Sequence, residues 1–242
     1  MSEEIKMAEV RLEGRVLGLR VGKKRDGVFR AKGVEGEPSA IGKTPVQEAL
    51  LESEGLRGDE QADRANHGGI HKAILLFSID SYQKLALQTG LTFDVENQAL
   101  LGENLLVEGL NESSVCAGDR FLVGEAEIEI SQPRQPCWKL SANNDRSDLS
   151  LQIYRLGLTG WYARVISGGV IRQNETLKLL SRPHERLTIA ALNRLIQDVS
   201  KDAPLLSEAL ACEALSPNFK NALRYCLEHH INTPPAYIHL PS

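Results

Sequence analysis

The residues best equipped for chemistry lie in one short segment, SQPRQPCWKL, from Ser131 to Leu140. Cys137 is its candidate nucleophile and soft-metal ligand. Two prolines remove backbone donors and fix φ around Arg134 and Cys137, so the segment suits a rigid presenting loop better than a continuing strand. Arg134 and Lys139 put positive charge near the thiol. Nearby cations favour thiolate, the form that binds a soft metal or attacks an electrophile. Most free cysteines are nonetheless small buried hydrophobes, and on residue chemistry alone that reading comes first.

A second cluster, GLRGDEQADRANHGGIHKA, runs from Gly55 to Ala73. Gly58, Gly68 and Gly69 permit close backbone approach or positive φ. His67, Gly68 and Gly69 with Lys72 can offer N–H groups and a cation to an anion. His67 and His71 have the four-residue spacing of a helical zinc pair. The Gly-Gly between them disfavours a helix, and a turn before a strand is the plainer reading. LGENL (Leu101 to Leu105) and AGDRF (Ala117 to Phe121) also read first as turns before strands. Glu103 and Asp119 would form an acid–base pair only if the fold brings them together.

The elements that must position these residues fall into two regimes. Strands are expected over Val10 to Val21, Lys72 to Phe77, Asn104 to Gly109, around Phe121–Val123 and Ala126–Ser131, then Trp161 to Val170 and Thr176 to Ser181. Such short, unevenly spaced strands suggest a closed or strongly bent β-barrel. Helices interrupt them from Asp80 toward Thr89, ended by Gly90, and around Asp148 to Leu156. After Pro183 three amphipathic helices are expected: one capped by Thr188, one over Pro204 to Leu215, and one opened by Ser216-Pro217. The fold class is therefore mostly β with helices (α+β). Residues 10–182 form the barrel, 183–230 a small three-helix domain, and 231–242 an irregular, partly disordered tail.

Composition narrows the partners. Over 242 residues the net charge is −4, with acidic and basic residues interleaved and only 5% aromatic, which argues against nucleic acid or an anionic membrane surface. No apolar run reaches membrane-span length, and MSEEIKMAEV lacks a secretory core. Cys116, Cys137, Cys212 and Cys226 include no CxxC pair, so a reducing, cytoplasmic setting with free thiols is expected.

Taken in order, GLxGDxQAD…HGGxxKA, GENL, GD, QPRxPC and GWYxRV resemble the MOSC family, over roughly residues 10 to 228. Leu101 stands where the family more often has phenylalanine. With its C-terminal helices the chain is similar to the YiiM-like subgroup, which reduces N-hydroxylated purines. The resemblance implies a MOSC β-barrel that holds the molybdenum cofactor, a molybdopterin, with Cys137 as the thiolate ligand to the metal; pyridoxal phosphate is a further association of the family. A dithiolene with a phosphate tail needs soft chelation at one end and cations or N–H donors at the other. Lys43, Arg57, Lys72, Arg134 and Arg164 are the candidate cations, and Asn104, His67, Gly68 and Gly69 further cofactor contacts. Trp161 could flank the cofactor or serve as core. Asp59, Glu103, His67 and Asp119 are the candidate proton donors.

The implied activity is reduction of a small N-hydroxylated substrate to its amine. No GxGxxG fingerprint and no cluster-ligating cysteine set is present, so electrons should come from a separate flavin or iron–sulfur reductase. A homodimer is left open. The alternative is a non-catalytic carrier of the cofactor or of sulfur, with a persulfide on Cys137. A plain thiol enzyme would need a base that the sequence does not place.

Overall fold

The computed structural model describes residues 12–26, 29 and 36–241. Its elements run β1 (Glu13–Val21), β2 (Thr44–Val46), β3 (Glu48–Glu52), β4 (Gly55–Leu56), α1 (Arg64–His67), β5 (Ile74–Ser78), α2 (Ile79–Thr89), β6 (Leu105–Glu108), β7 (Arg120–Val123), β8 (Ala126–Pro133), α3 (Trp138–Asn143), α4 (Leu149–Leu156), β9 (Trp161–Ser167), β10 (Gly169–Arg172), β11 (Thr176–Ser181), α5 (Ile189–Gln197), α6 (Ala203–Ala211) and α7 (Pro217–Glu228). Val10 and Arg11, expected in the first strand, lie outside the described residues.

The barrel closes. In the order β11-β7-β8-β9-β5-β6-β1, each strand pairs with the next, and β11 pairs back onto β1. Only β5 and β6 run parallel. Closure removes the unpaired edges that an open sheet of short strands would expose. Val16, Leu19, Ile74, Leu76, Phe121, Ile128, Ile130 and Trp161 fill the interior. The alternating half of β8, Ala126 to Ile130, matches its period-two sequence, whereas Ser131 to Pro133 are buried on both faces. A bulge between Ile130 and Gln132 ends the regular ladder with β9, so the chain turns off the barrel where the Cys137 loop begins.

Two helical layers cover the barrel. Phe77, Tyr82 and Leu106 pack with α3 and α4 residues Leu140, Leu149 and Ile153 on one side. Residues of α5, α6 and α7 form a separate core around Leu192, Leu206, Phe219 and Leu223, joined by Ala117 and Leu187. Thr188, Asp202 and Ser216 cap these three helices through Ala191, Leu205 and Phe219 N–H groups. Gly90 ends α2 with φ +70°. Among the described residues no helix is long and apolar enough to cross a membrane.

Several expectations shift. The run Trp161 to Val170 is two strands, because the chain leaves the barrel after Ser167 and β10 joins β3 and β4 in a separate small sheet. Lys72 belongs to a 3-10 turn, Ile70–Lys72, with the strand starting at Ile74. The Cys137 loop passes directly into α3, a helix the prolines had obscured. The tail after α7 is irregular but anchored: Ala236–Ile238 make one 3-10 turn, and Ile238 is 1% exposed.

Candidate functional site

Cys137 opens at the junction of two cavities. An inner cleft of about 680 Å³ is lined by Lys43, Asp59, His67, Lys72, Arg134 and Tyr162 as well as Cys137. An outer vestibule of about 1,550 Å³ shares His67, Lys72, Cys137 and Tyr162 with it and extends to α7 and the tail. The Gly-rich segment and the Pro-rich loop, 60 residues apart in sequence, thus meet face to face.

The loop is held from both sides. Arg134 N–H donates to the Gly160 carbonyl over 3.1 Å, and the Ser150 hydroxyl donates to the Cys137 carbonyl over 2.7 Å. These bonds substitute for the ladder that the prolines forbid. Cys137 stands at the N-cap of α3 with its side chain half-buried and without a capping bond. Its Sγ lies 3.8 Å from His67 Nε2. Burial and the nearby Arg134 charge hold the His67 pKa down at about 4, so the imidazole is neutral at pH 7. The sequence had placed no base beside Cys137; the fold puts a neutral imidazole there, too weakly basic at that pKa to hold a thiol proton.

Arg134 is 6% exposed. Its Nη2 donates to the Leu101 carbonyl at 3.3 Å, while the buried Nη1 has no partner among the described residues. Lys72 donates to the Asn66 carbonyl at 2.6 Å and approaches the Tyr162 ring at 5.8 Å. Its burial lowers the ammonium pKa. These three side chains and Cys137 are brought together as expected.

Other candidates are occupied elsewhere. Asp59 lines the inner cleft but accepts from Lys43 at 2.6 Å, Gly22 N–H at 2.7 Å and Asn104 Nδ2 at 2.9 Å. Lys43 is thereby neutralised, and burial lowers its pKa despite that partner. Asn104 Oδ1 in turn accepts the Leu75 N–H. This trio braces the cleft wall rather than offering free donors.

Glu103 lies off the cleft, fully buried, between Arg20 Nη1 at 2.7 Å and the Tyr82 hydroxyl at 2.9 Å. Burial pushes its carboxyl up from the ordinary value against the pull of Arg20. Asp119 accepts from Arg182 and from the Cys116 N–H, which makes it a turn brace. The two carboxylates therefore do not work as a pair.

Arg57 points outward to Glu52, and Arg164 ties Glu129 to the Ala214 carbonyl at the base of the C-terminal helices. Gly69 takes φ +83° and gives its N–H to Gln61, while a Cβ on Gly68 would fall 2.0 Å from Gln61 Oε1. These glycines shape the turn that delivers His67 and Lys72; neither lines the cleft. Trp161 is wholly buried in the barrel interior.

Sequence reasoning did not point to Tyr162, Gln61 or the exposed face of α7. Tyr162 is adjacent to a core tryptophan, and only the strand's alternation, once the barrel is known, turns it toward the cleft.

Among the described residues no three His, Cys, Asp or Glu side chains converge to hold a metal. The half-buried Cys137 thiol and the buried Arg134, whose Nη1 has no partner among the described residues, line one cleft, and this pairing of a soft ligand with a cation fits a group that carries a metal and an anion.

Comparisons with known proteins agree. The MOSC domain family model matches residues 63–178. The uncharacterized protein YflK of Bacillus subtilis (strain 168) is 35% identical over 206 residues, 85% of this chain and 90% of that protein. A reductase of Gibberella moniliformis is 30% identical over 155 residues, 64% of this chain but only 28% of its own length. The crystal structure of YiiM from Geobacillus stearothermophilus superposes with a TM-score of 0.72 at 27% identity, covering 88% of this chain and 99% of that one. With the barrel, the gathered motifs and these relatives in view, the chain belongs to the MOSC domain family, in its YiiM-like branch.

Proposed function

We propose that this protein is a molybdenum-cofactor-dependent reductase. It converts N-hydroxylated compounds, such as 6-N-hydroxylaminopurine, to the amines with electrons from a separate flavin or iron–sulfur protein. The observation that carries this reading is a half-buried thiol sharing one cleft with a buried arginine that has no anionic partner among the described residues. MOSC domains are associated in general with binding of the molybdenum cofactor, and a reductase is among the relatives.

In this reading Cys137 Sγ would hold the metal and Arg134 would hold anionic oxygen in the inner cleft, which Lys72 lines while bonded to the Asn66 carbonyl. When bound, the cofactor supplies the two-electron chemistry at the N–O bond. The remaining work belongs to the chain. Tyr162 and the Lys43–Asp59–Asn104 brace keep the cleft's shape. Of the four acid–base candidates, only His67 is in contact with Cys137. As a neutral imidazole it keeps one proton on one ring nitrogen and adds no positive charge beside the thiolate.

Two expressions test the reading, one in a host that makes molybdopterin and one in a host that cannot. The competent host should yield metal-loaded protein that reduces an N-hydroxylated amine with a chemical electron donor. Cys137→Ser should lose the metal and keep the unfolding midpoint of metal-free wild type. Equal metal content from both hosts would sink the proposal. A second reading is sulfur carriage on Cys137, whose half-buried thiol opens onto both cavities. Metal-free protein with a sulfane sulfur on Cys137 would replace the reductase by that carrier.

A further inference from the structure

The outer vestibule contains more than the reductase reading uses. Its wall away from Cys137 is built by the C-terminal segment: Asn218 and Asn221 of α7 and Tyr237 of the tail. Gln132, Gln135 and Trp138 of the Cys137 loop and its flanks face the same space.

This wall is fastened to the site. The Ser216 N–H donates to the Ser131 carbonyl at 3.1 Å, and the Ser216 hydroxyl, which caps α7, also bonds Gln132 Oε1. Arg164 holds the Ala214 carbonyl just before that cap. The first turn of α7 is thus locked to the end of β8, a few residues from Cys137. On the far side, the Tyr237 hydroxyl donates to Gln135 Oε1 at 3.0 Å, with buried Ile238 as its anchor.

The free groups share one chemistry. Phe219 and Leu223 turn inward, which leaves Asn218 and Asn221, one helical turn apart, exposed. Asn221 Oδ1 accepts from Arg224, but its Nδ2, the Asn218 amide and Gln135 Nε2 have no partner among the described residues. The vestibule cations are already engaged: Lys72 with the Asn66 carbonyl, Lys139 with the Pro38 carbonyl and Glu37. Carboxamides match an adjacent donor and acceptor on a heteroaromatic edge, and aromatic rings accept its face. The lining carboxylates are engaged too, Glu37 with Lys139 and Asp63 with the Asn66 N–H and amide, so a fixed charge on the ligand finds no such match.

We infer that the C-terminal segment is the specificity wall for the substrate: Asn218 and Asn221 bind the donor–acceptor edge of an uncharged heteroaromatic amine, and Tyr237, through Gln135, holds the wall closed. The inference rests on the reductase reading for the reaction at Cys137, but its test requires no turnover. Binding of 2-aminopyrimidine and of aniline to the purified protein is measured by ligand-observed NMR titration. Both are planar amines, and only the first has ring acceptors beside its amino group.

Asn218→Ala/Asn221→Ala should weaken 2-aminopyrimidine about tenfold, the scale of one or two lost hydrogen bonds, and leave aniline unchanged. Tyr237→Phe, which removes only the hydroxyl, should weaken 2-aminopyrimidine about threefold. Metal content should match wild type in both variants. Wild-type affinity for 2-aminopyrimidine in the double variant, or an equal loss for both amines, overturns the inference and leaves the reductase reading standing. The selective loss in the double variant, together with wild-type protein from a molybdopterin-competent host that carries no metal and reduces no N-hydroxylated amine, would overturn the reductase reading alone.

Discussion

Arg20 and Arg134 are both withdrawn from water, 1% and 6% exposed, and both reach toward the Leu101–Asn104 turn. Arg20 finds the Glu103 carboxylate there, with Tyr82 on the other carboxylate oxygen and the Leu101 N–H on the Tyr82 hydroxyl. Among the described residues Arg134 finds one carbonyl and no carboxylate, its Nη1 is buried without a partner, and the residue lines the inner cleft. A buried cation paired inside the protein is structure. A buried cation left unpaired beside a thiol is a binding site for an anion the chain does not provide. The contrast separates two carboxylates that sequence alone could only nominate, Glu103 and Asp119, from the groups that face the cleft.

The largest effect that would break this comparison is on the paired side. Glu103→Ala strands the Arg20 charge in the interior, and loss of one partner of a buried pair costs about 3–5 kcal/mol. Chemical denaturation of the metal-free protein should show that loss. A shift under about 1 kcal/mol would mean that Arg20 is not held as a structural ion pair.

The unpaired side should respond with the opposite sign. In metal-free protein Arg134→Met removes a desolvated donor without a partner, a group whose burial costs about 1–3 kcal/mol, so the variant should be as stable as wild type or more so by up to that amount. Its cofactor occupancy after expression in a competent host should fall severalfold. Destabilisation of the metal-free form by Arg134→Met would place Arg134 among the structural residues and remove the main support for an anion in the cleft.

The same contrast explains what the sequence could and could not tell. Local chemistry was legible: the capping residues Thr188 and Ser216, the αL glycine at Gly90, the alternation of Ala126 to Ile130, and the prolines that turn Cys137 off the sheet. The grouping of Cys137 with His67, Lys72 and Arg134 as one site was implied by the family resemblance, since residue chemistry alone put Cys137 first as a buried hydrophobe; in the fold the four line one cleft. Partner choice was not legible, because it depends on register across distant segments. Glu103 and Asn104 are neighbours in one turn, yet the first meets Arg20 and the second braces Asp59. Likewise β3, β4 and β10 become strands only because a barrel rim is there to carry them, and the α7 amides matter only because Ser216 is bonded to the end of β8.

Arg57 gives the smallest expected effect and a sharp control. By sequence it is a candidate anion ligand in the Gly55 to Ala73 cluster, ranked behind Arg134 and Lys72. In the fold its guanidinium is largely exposed and paired with Glu52 at 2.7 Å, on the outer side of that cluster. Such a surface pair contributes little to stability and leaves no unmet demand for an anion. Arg57→Ala should therefore match wild type in unfolding midpoint, metal content and 2-aminopyrimidine affinity. If it instead loses cofactor as Arg134→Met does, pairing within the protein does not separate structural cations from binding ones. The cleft assignment would then have to extend to the face that carries Arg57.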